Sequence, residues 1–195
     1  DSNEESHAIM LSYLPEFEKE TAPCEIVFVV DRSGSMSGMR IQQARTALQF
    51  FLRSLPENCC FNIVGFGSSI DKLFPESKPY SDDTLDIASD KVGSMSADLG
   101  GTNLYKPLNK VFSRTPEHGY RAVFVLTDGQ VGDRSSVIQL VKQHAERNRV
   151  FSFGIGHDVD RELVNGIARS GKGGAEFVIE SEGNINVKVL RHLAR

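Results

Sequence analysis

Ile26-Val27-Phe28-Val29-Val30-Asp31-Arg32-Ser33-Gly34-Ser35 sets five apolar residues directly before a carboxylate and two hydroxyls. An unbroken apolar run of this length reads as a strand covered on both faces, the usual setting of a parallel sheet. That strand delivers Asp31, Ser33 and Ser35 to a Gly-containing loop. All three are hard oxygen groups, the kind that hold a magnesium-like cation.

Two later stretches supply matching pieces. Gly100-Gly101-Thr102 offers a further hydroxyl on a tight turn. Val123-Phe124-Val125-Leu126-Thr127-Asp128-Gly129 is a second apolar strand that ends in a carboxylate. In open α/β sheets, ligands bind beyond the carboxyl ends of the strands, near the point where strand order reverses. Asp31 and Asp128 both end strands, so both belong on that rim. If the two strands are neighbours, the carboxylates flank one crevice. Two unpaired carboxylates so placed repel, and one takes up a proton. A divalent cation removes the conflict, and Ser33, Ser35 and Thr102 complete its shell without adding charge. An ion held mainly by neutral hydroxyls stays electron-poor and accepts an outside carboxylate. Taken singly, each piece has a plainer explanation: Asp31 and Ser33 cap a helix, and Thr127-Asp128-Gly129 is a turn. The five oxygen residues in order, each in its expected context, favour metal binding.

From Cys24 onward, apolar runs alternate with amphipathic stretches, which predicts an α/β domain with a mostly parallel sheet. Strands are expected over Glu25–Val30, Cys60–Phe66, Arg121–Thr127, Val150–Gly154 and Ala175–Ile179, with a short edge strand at Lys72–Phe74. Helices are expected over Met39–Leu55, from Ser81-Asp82-Asp83 to about Val92, and over Asn103–Ser113, Ser135–Asn148, Asp160–Ser170 and Asn184–Arg195. Ile41, Ala44, Leu48, Phe51, Leu52 and Leu55 form the buried stripe of the first helix, and Pro56 stops it. Ala8–Leu14 reads as a strand and Glu16–Thr21 as a linker, so residues 1–22 are expected to be a linker or the tail of a preceding domain, and 23–195 the domain itself.

The 195 residues suit one domain with a substantial core. Apolar residues at 39% and charged residues at 25% indicate a soluble globular class, and a formal charge of −4 argues against nucleic-acid partners. No apolar run approaches a membrane span. The acidic start, Asp1-Ser2-Asn3-Glu4-Glu5, lacks a signal peptide's hydrophobic centre, and the missing initiator Met points to a fragment or a processed chain. Three cysteines, two of them adjacent, read as reduced buried thiols in an intracellular, cytoplasmic protein rather than as a disulfide framework.

Asp31-x-Ser33-Gly34-Ser35-Met36, joined to the later Gly-Gly-Thr and Thr-Asp-Gly, resembles the metal-ion-dependent adhesion site (MIDAS) of von Willebrand factor type A (VWA) domains. The resemblance covers about Cys24 to Ile179, and no position departs from the pattern. It implies a Rossmann-like, doubly wound, mainly parallel sheet with one short antiparallel edge strand and helices on both faces. It also implies roles. Ser33, Ser35 and Thr102 are similar to residues that touch the ion directly or nearly so. Asp31 and Asp128 are similar to carboxylates that often act through bound water. Mg2+ is the implied ion, with Mn2+ or Ca2+ as substitutes. Asn62–Gly67, Phe74-Pro75, Ala97–Thr102 and Phe151–Gly156 look like the subgroup in which the domain follows a vault/inter-alpha-trypsin (VIT) domain, more distantly the vault poly(ADP-ribose) polymerase. Met10–Pro15 then resembles the tail of that preceding domain.

The function this implies is non-catalytic capture of a partner protein whose Asp or Glu completes the metal shell. The rivals are a metal-assisted phosphotransferase or hydrolase, for which no general base or nucleophile is identifiable, and a scaffold with a structural metal. Gly166 to Gly173 approaches a P-loop but lacks the closing Ser or Thr and runs from helix to strand, which predicts a helix C-cap turn. Gly65-Phe66-Gly67 and Gly154-Ile155-Gly156 read as close-packed strand ends, not dinucleotide fingerprints. A haloacid dehalogenase would need an Asp where Ser33 stands. His118, His144 and His157 show no ligand spacing and are expected at the surface, as is a solvated Arg32 beside the site.

Overall fold

The computed structural model describes residues 23–116 and 119–178. The expected strand at Ala8–Leu14, the linker, the helix at Asn184–Arg195 and His118 lie outside the described residues.

Among the described residues seven strands form one sheet: β1 (Cys24–Asp31), β2 (Cys59–Phe66), β3 (Ile70–Lys72), β4 (Lys78–Pro79), β5 (Arg121–Thr127), β6 (Asn148–Ile155) and β7 (Lys172–Val178). Their order is β3-β2-β1-β5-β6-β7, with β4 also on β2. Strands β1, β2, β5, β6 and β7 run parallel, while β3 and β4 lie antiparallel along the outer edge of β2. The chain leaves β1 toward β2 on one side and returns to β5 on the other. The topological switch therefore falls between β1 and β5, where Val30 pairs with Leu126.

Alternation along β1 builds two cores. Ile26, Phe28 and Val30 face α1 (Met39–Arg53) and α2 (Asp82–Gly93). Val27 and Val29 face α3 (Tyr105–Phe112), α4 (Arg134–His144) and α5 (Arg161–Ser170). Such two-sided burial explains why the strand carries no polar residue between Ile26 and Val30. Phe28, Phe51 and Phe124 pack mutually as tilted rings at centroid distances of 5.1–5.5 Å and fix α1 over the centre of the sheet. All six residues expected on the buried stripe of α1 are buried.

Strands β6 and β7 begin earlier than expected, at Asn148 and Lys172, and α1 ends earlier, at Arg53; three further boundaries differ for a side-chain reason. The edge strand is Ile70–Lys72 rather than Lys72–Phe74, because the Asn62 side chain takes over the ladder there. Its Nδ2 donates to the Phe74 carbonyl at 3.0 Å, and its Oδ1 accepts from the Phe74 N–H at 3.1 Å. Helix α4 stops at His144 rather than Asn148, since Asn148 Nδ2 caps the His144 carbonyl while its backbone joins β6. Helix α3 begins at Tyr105, with Asn103 Oδ1 accepting from the Lys106 N–H. Side-chain caps start two other helices: Ser81 and Thr84 form a reciprocal capping box on α2, and Asp160 accepts from Leu163 N on α5.

Candidate metal centre

The loop after β1 tightens into a 3-10 turn, Gly34–Met36, because Met36 drops fully buried into the core under α1. Anchoring Met36 turns the hydroxyls of Ser33 and Ser35 toward each other, 3.0 Å apart. Ser33 is buried and Ser35 half-buried at the rim.

Asp31 and Asp128 are both fully buried and lie at the ends of neighbouring strands. Their oxygens already have partners. Asp31 Oδ1 accepts from the Ser33 N–H at 2.9 Å, and Oδ2 from the Thr127 hydroxyl at 2.7 Å. Burial pushes the Asp31 carboxyl above its ordinary value. The bonds from Ser33 and Thr127 pull it back, and the charge of Asp128 adds a smaller upward push. Asp128 Oδ1 accepts from the Gln130 N–H at 3.2 Å, and Oδ2 from Arg40 Nη1 at 3.2 Å. The expectation that two bare carboxylates demand a cation is thus corrected: hydrogen bonds serve Asp31, and a guanidinium from α1 already serves Asp128.

Thr102 is half-buried on a loop lashed to the Ser33 loop by backbone bonds. Gly34 N donates to Gly100 O at 2.8 Å, and Leu99 N donates to Arg32 O at 3.0 Å. Gly100 adopts φ +79, a conformation glycine takes without strain. At Gly67, a Cβ would run into the Leu99 carbonyl, so only glycine lets the end of β2 approach this loop. The structure therefore brings together the loops carrying all five expected oxygen residues, with Ser33 and Ser35 in mutual contact and Asp31 bonded to the Ser33 backbone.

Arg32 is not a solvated surface residue. Its side chain is only 7% exposed and forms ion pairs with Asp71 at 2.6 Å and Asp98 at 2.5 Å, while Nε donates to Ser96 O at 2.9 Å. It staples the edge of the sheet and the segment before Thr102 onto the loop after β1. Gly65 makes room for it, since a Cβ there would sit 2.9 Å from Arg32 Cδ. Gly156 does the same for Arg40. The close-packed strand ends read from sequence are thus seats for two arginines. Sequence reasoning gave Thr127 and Arg40 no role at the site, and it placed Arg32 beside the site but in solvent. The paired strand-end glycines, and a basic residue in the first turn of α1, were their signals.

The other motifs resolve plainly. Gly171 is the C-cap of α5, and β7 starts at Lys172, so the near P-loop is a helix-to-strand turn. Cys24, Cys59 and Cys60 are all free of disulfides. His157 is exposed, but His144 is half-buried and stacks on Phe112 with centroids 5.2 Å apart. Among the described residues no cluster of three or more His, Cys, Asp or Glu has metal-binding geometry, and no helix is long and apolar enough to cross a membrane.

A family model described as von Willebrand factor type A domain matches residues 24–177. The chain is 40% identical over 194 residues to human von Willebrand factor A domain-containing protein 5B1, covering 96% of this chain and 16% of that protein. Curated relatives of this kind are matched over only 16–23% of their own length. A solved von Willebrand factor type A protein from Catenulispora acidiphila superimposes with TM-score 0.75 at 19% identity, over 89% of this chain and 42% of that one. Proximal thread matrix protein 1 of the mussel byssus, solved with a zinc-occupied MIDAS motif, gives TM-score 0.67 at 18% identity, over 87% and 44%.

Proposed function

The chain belongs to the von Willebrand factor type A domain family, and we propose that it captures a protein partner through a divalent ion held by Ser33, Ser35, Thr102, Asp31 and Asp128. The observation that carries this reading is the 3.0 Å approach of the Ser33 and Ser35 hydroxyls beside two carboxylates whose four oxygens each accept a hydrogen bond. Adjacent oxygens on an octahedral ion with bonds of ~2.1 Å stand about 3.0 Å apart, so the pair matches two positions of such a shell. The donor set is all oxygen, which fits magnesium, with manganese or calcium as substitutes. The zinc in the mussel protein's motif supports a divalent ion at the corresponding loop.

The residues divide the work. Ser33, Ser35 and Thr102 present neutral oxygens. Asp31 and Asp128 have their oxygens engaged, so they supply charge from behind and reach the ion through water. The chemistry such an ion supplies is one open coordination position for an outside carboxylate. A partner's Asp or Glu fills it. The enzyme alternative would need a general base or nucleophile beside the ion, and Asp31 and Asp128 are instead held by hydrogen bonds from Ser33, Thr127, Gln130 and Arg40. On this reading the domain spans 23–195, residues 1–22 are a linker or the tail of a preceding VIT domain, and the setting is intracellular.

Immobilised domain is expected to retain its partner in Mg2+ and release it in EDTA, with Asp31→Ala behaving like the EDTA sample. Retention of the same partner in all three conditions would replace metal-bridged capture with a scaffold role.

A further inference from the structure

Arg40 occupies an unfavourable position for a helical cation. It lies in the first turn of α1, where the positive end of the helix dipole disfavours Lys and Arg, and that turn holds no acidic residue to offset it. Yet the side chain is only 22% exposed and is fully engaged. Nη1 donates to the Ser35 carbonyl at 3.1 Å and to Asp128 Oδ2 at 3.2 Å, while Nη2 lies 3.5 Å from Asp158 Oδ2. The backbone opposite is shaped to receive it. Gly156 adopts φ +102, and a Cβ there would stand 2.7 Å from Arg40 Nε.

Resting on the metal reading above, we infer that Arg40 is a built-in counter-cation of the site that weakens ion binding and makes the loaded site favour a carboxylate. Without an ion, Asp128 is fully buried, and an unpaired buried carboxylate is strongly destabilising. Arg40 removes that penalty. By holding the Ser35 carbonyl it also keeps the loop hydroxyls in place. With an ion, the count changes sign: Asp31 and Asp128 give −2, Arg40 gives +1, and a divalent ion gives +2, for a net +1. Asp158 at the rim is 82% exposed and its charge is screened by solvent. A site of net +1 holds its ion less tightly than a neutral one, and it attracts an incoming carboxylate more strongly. Arg40 therefore couples ion retention to partner arrival: the partner's Asp or Glu returns the site to neutrality.

The test uses Mn2+ as the metal probe and N-acetyl-aspartate as the carboxylate probe, on wild type, Arg40→Gln and Arg40→Lys. R40Q should bind Mn2+ roughly three- to thirtyfold more tightly, the effect of removing one partly screened unit charge a few ångström away. Its metal-free melting temperature should fall, and Mn2+ should raise it by more than in wild type. N-acetyl-aspartate should tighten Mn2+ binding in wild type and do so less in R40Q. R40K keeps the charge and should stay within about threefold of wild type. Equal or weaker Mn2+ binding by a folded R40Q overturns the inference while leaving the metal site standing. Absence of Mn2+ binding in both proteins removes the metal reading and this inference with it. Should R40Q be too unstable to isolate without metal, its refolding yield must rise with Mn2+; a yield indifferent to Mn2+ overturns the counter-cation role.

Discussion

Thr127 donates its hydroxyl to Asp31 Oδ2 at 2.7 Å, across the pair of strands that flank the topological switch, and accepts in turn from the Gly129 N–H at 2.9 Å. One side chain thus ties the Asp31 carboxylate at the end of β1 to the turn after β5 that carries Asp128. Thr127→Val keeps the shape and removes the donor, leaving a buried carboxylate oxygen without a partner. A loss of about 1–3 kcal/mol is expected, with Thr127→Ser recovering most of it. Urea denaturation of the metal-free proteins measures both. A Val variant as stable as wild type would show that the bond is dispensable.

Arg32 is expected to matter for assembly of the site rather than for partner charge. Arg32→Ala should cost about 2 kcal/mol, since its ion pairs are partly exposed on the carboxylate side. Amide exchange should quicken in residues 96–102. The loss should depend on pH. Burial pushes the Asp71 carboxyl up, but the bonds and charges of Lys91 and Arg32 outweigh it and hold the group below its ordinary value. Stability from this pairing is therefore present above the ordinary carboxylate value of ~3.9 and lost as pH falls through the lower folded value. The gap between wild type and R32A should narrow in that acid window. A gap constant with pH would mean that Arg32 acts through packing alone.

Cys59 sits on β2 at 1% exposure, and burial, with the neighbouring Cys24 and Cys60, pushes its thiol up to about 12. Iodoacetamide at pH 8 should leave Cys59 unmodified in the native domain and label it only after denaturation, as read by mass spectrometry. Because the folded value is raised, the thiol's contribution to stability is complete below the ordinary value and is lost as pH rises toward 12. Native labelling of Cys59 at a rate near that of a free thiol would contradict this burial.

Lys172 follows the C-cap of α5 with φ +55, the one non-glycine residue in the left-handed region among those described. Lys172→Gly should therefore stabilise the domain by up to ~1 kcal/mol, and Lys172→Ala should leave the fold and partner binding intact. Thermal melts decide the first point. Saturable ATP binding that vanished in K172A would restore the phosphate-loop reading rejected above.

The sheet was legible because its strands are apolar on both faces, and no polar residue interrupts Ile26–Val30 or Val123–Leu126. The loops carrying the oxygen groups were legible only together: each carboxylate or hydroxyl alone reads as a cap or a turn, but all of them follow such strands or a Gly-Gly turn in order. What escaped was long-range pairing. Arg32 lies 39 and 66 residues from its two carboxylates, and Arg40 lies 88 from Asp128. Spacing along a chain carries no record of such partners. The edge strand slipped for a similar reason, since an Asn62 side chain in place of a backbone ladder leaves no periodic trace.

On the reading proposed above, Ser33 and Ser35 present a divalent ion on a loop the core holds in place without it. Calorimetric titration of MgCl2 into wild type and Ser33→Ala/Ser35→Ala, with circular dichroism melts on the same samples, tests it most directly. One site is expected in wild type and none in the double variant, whose metal-free stability changes by only about 1–3 kcal/mol. A folded double variant that binds Mg2+ as wild type does, or a wild type that binds none at millimolar Mg2+, would contradict the account.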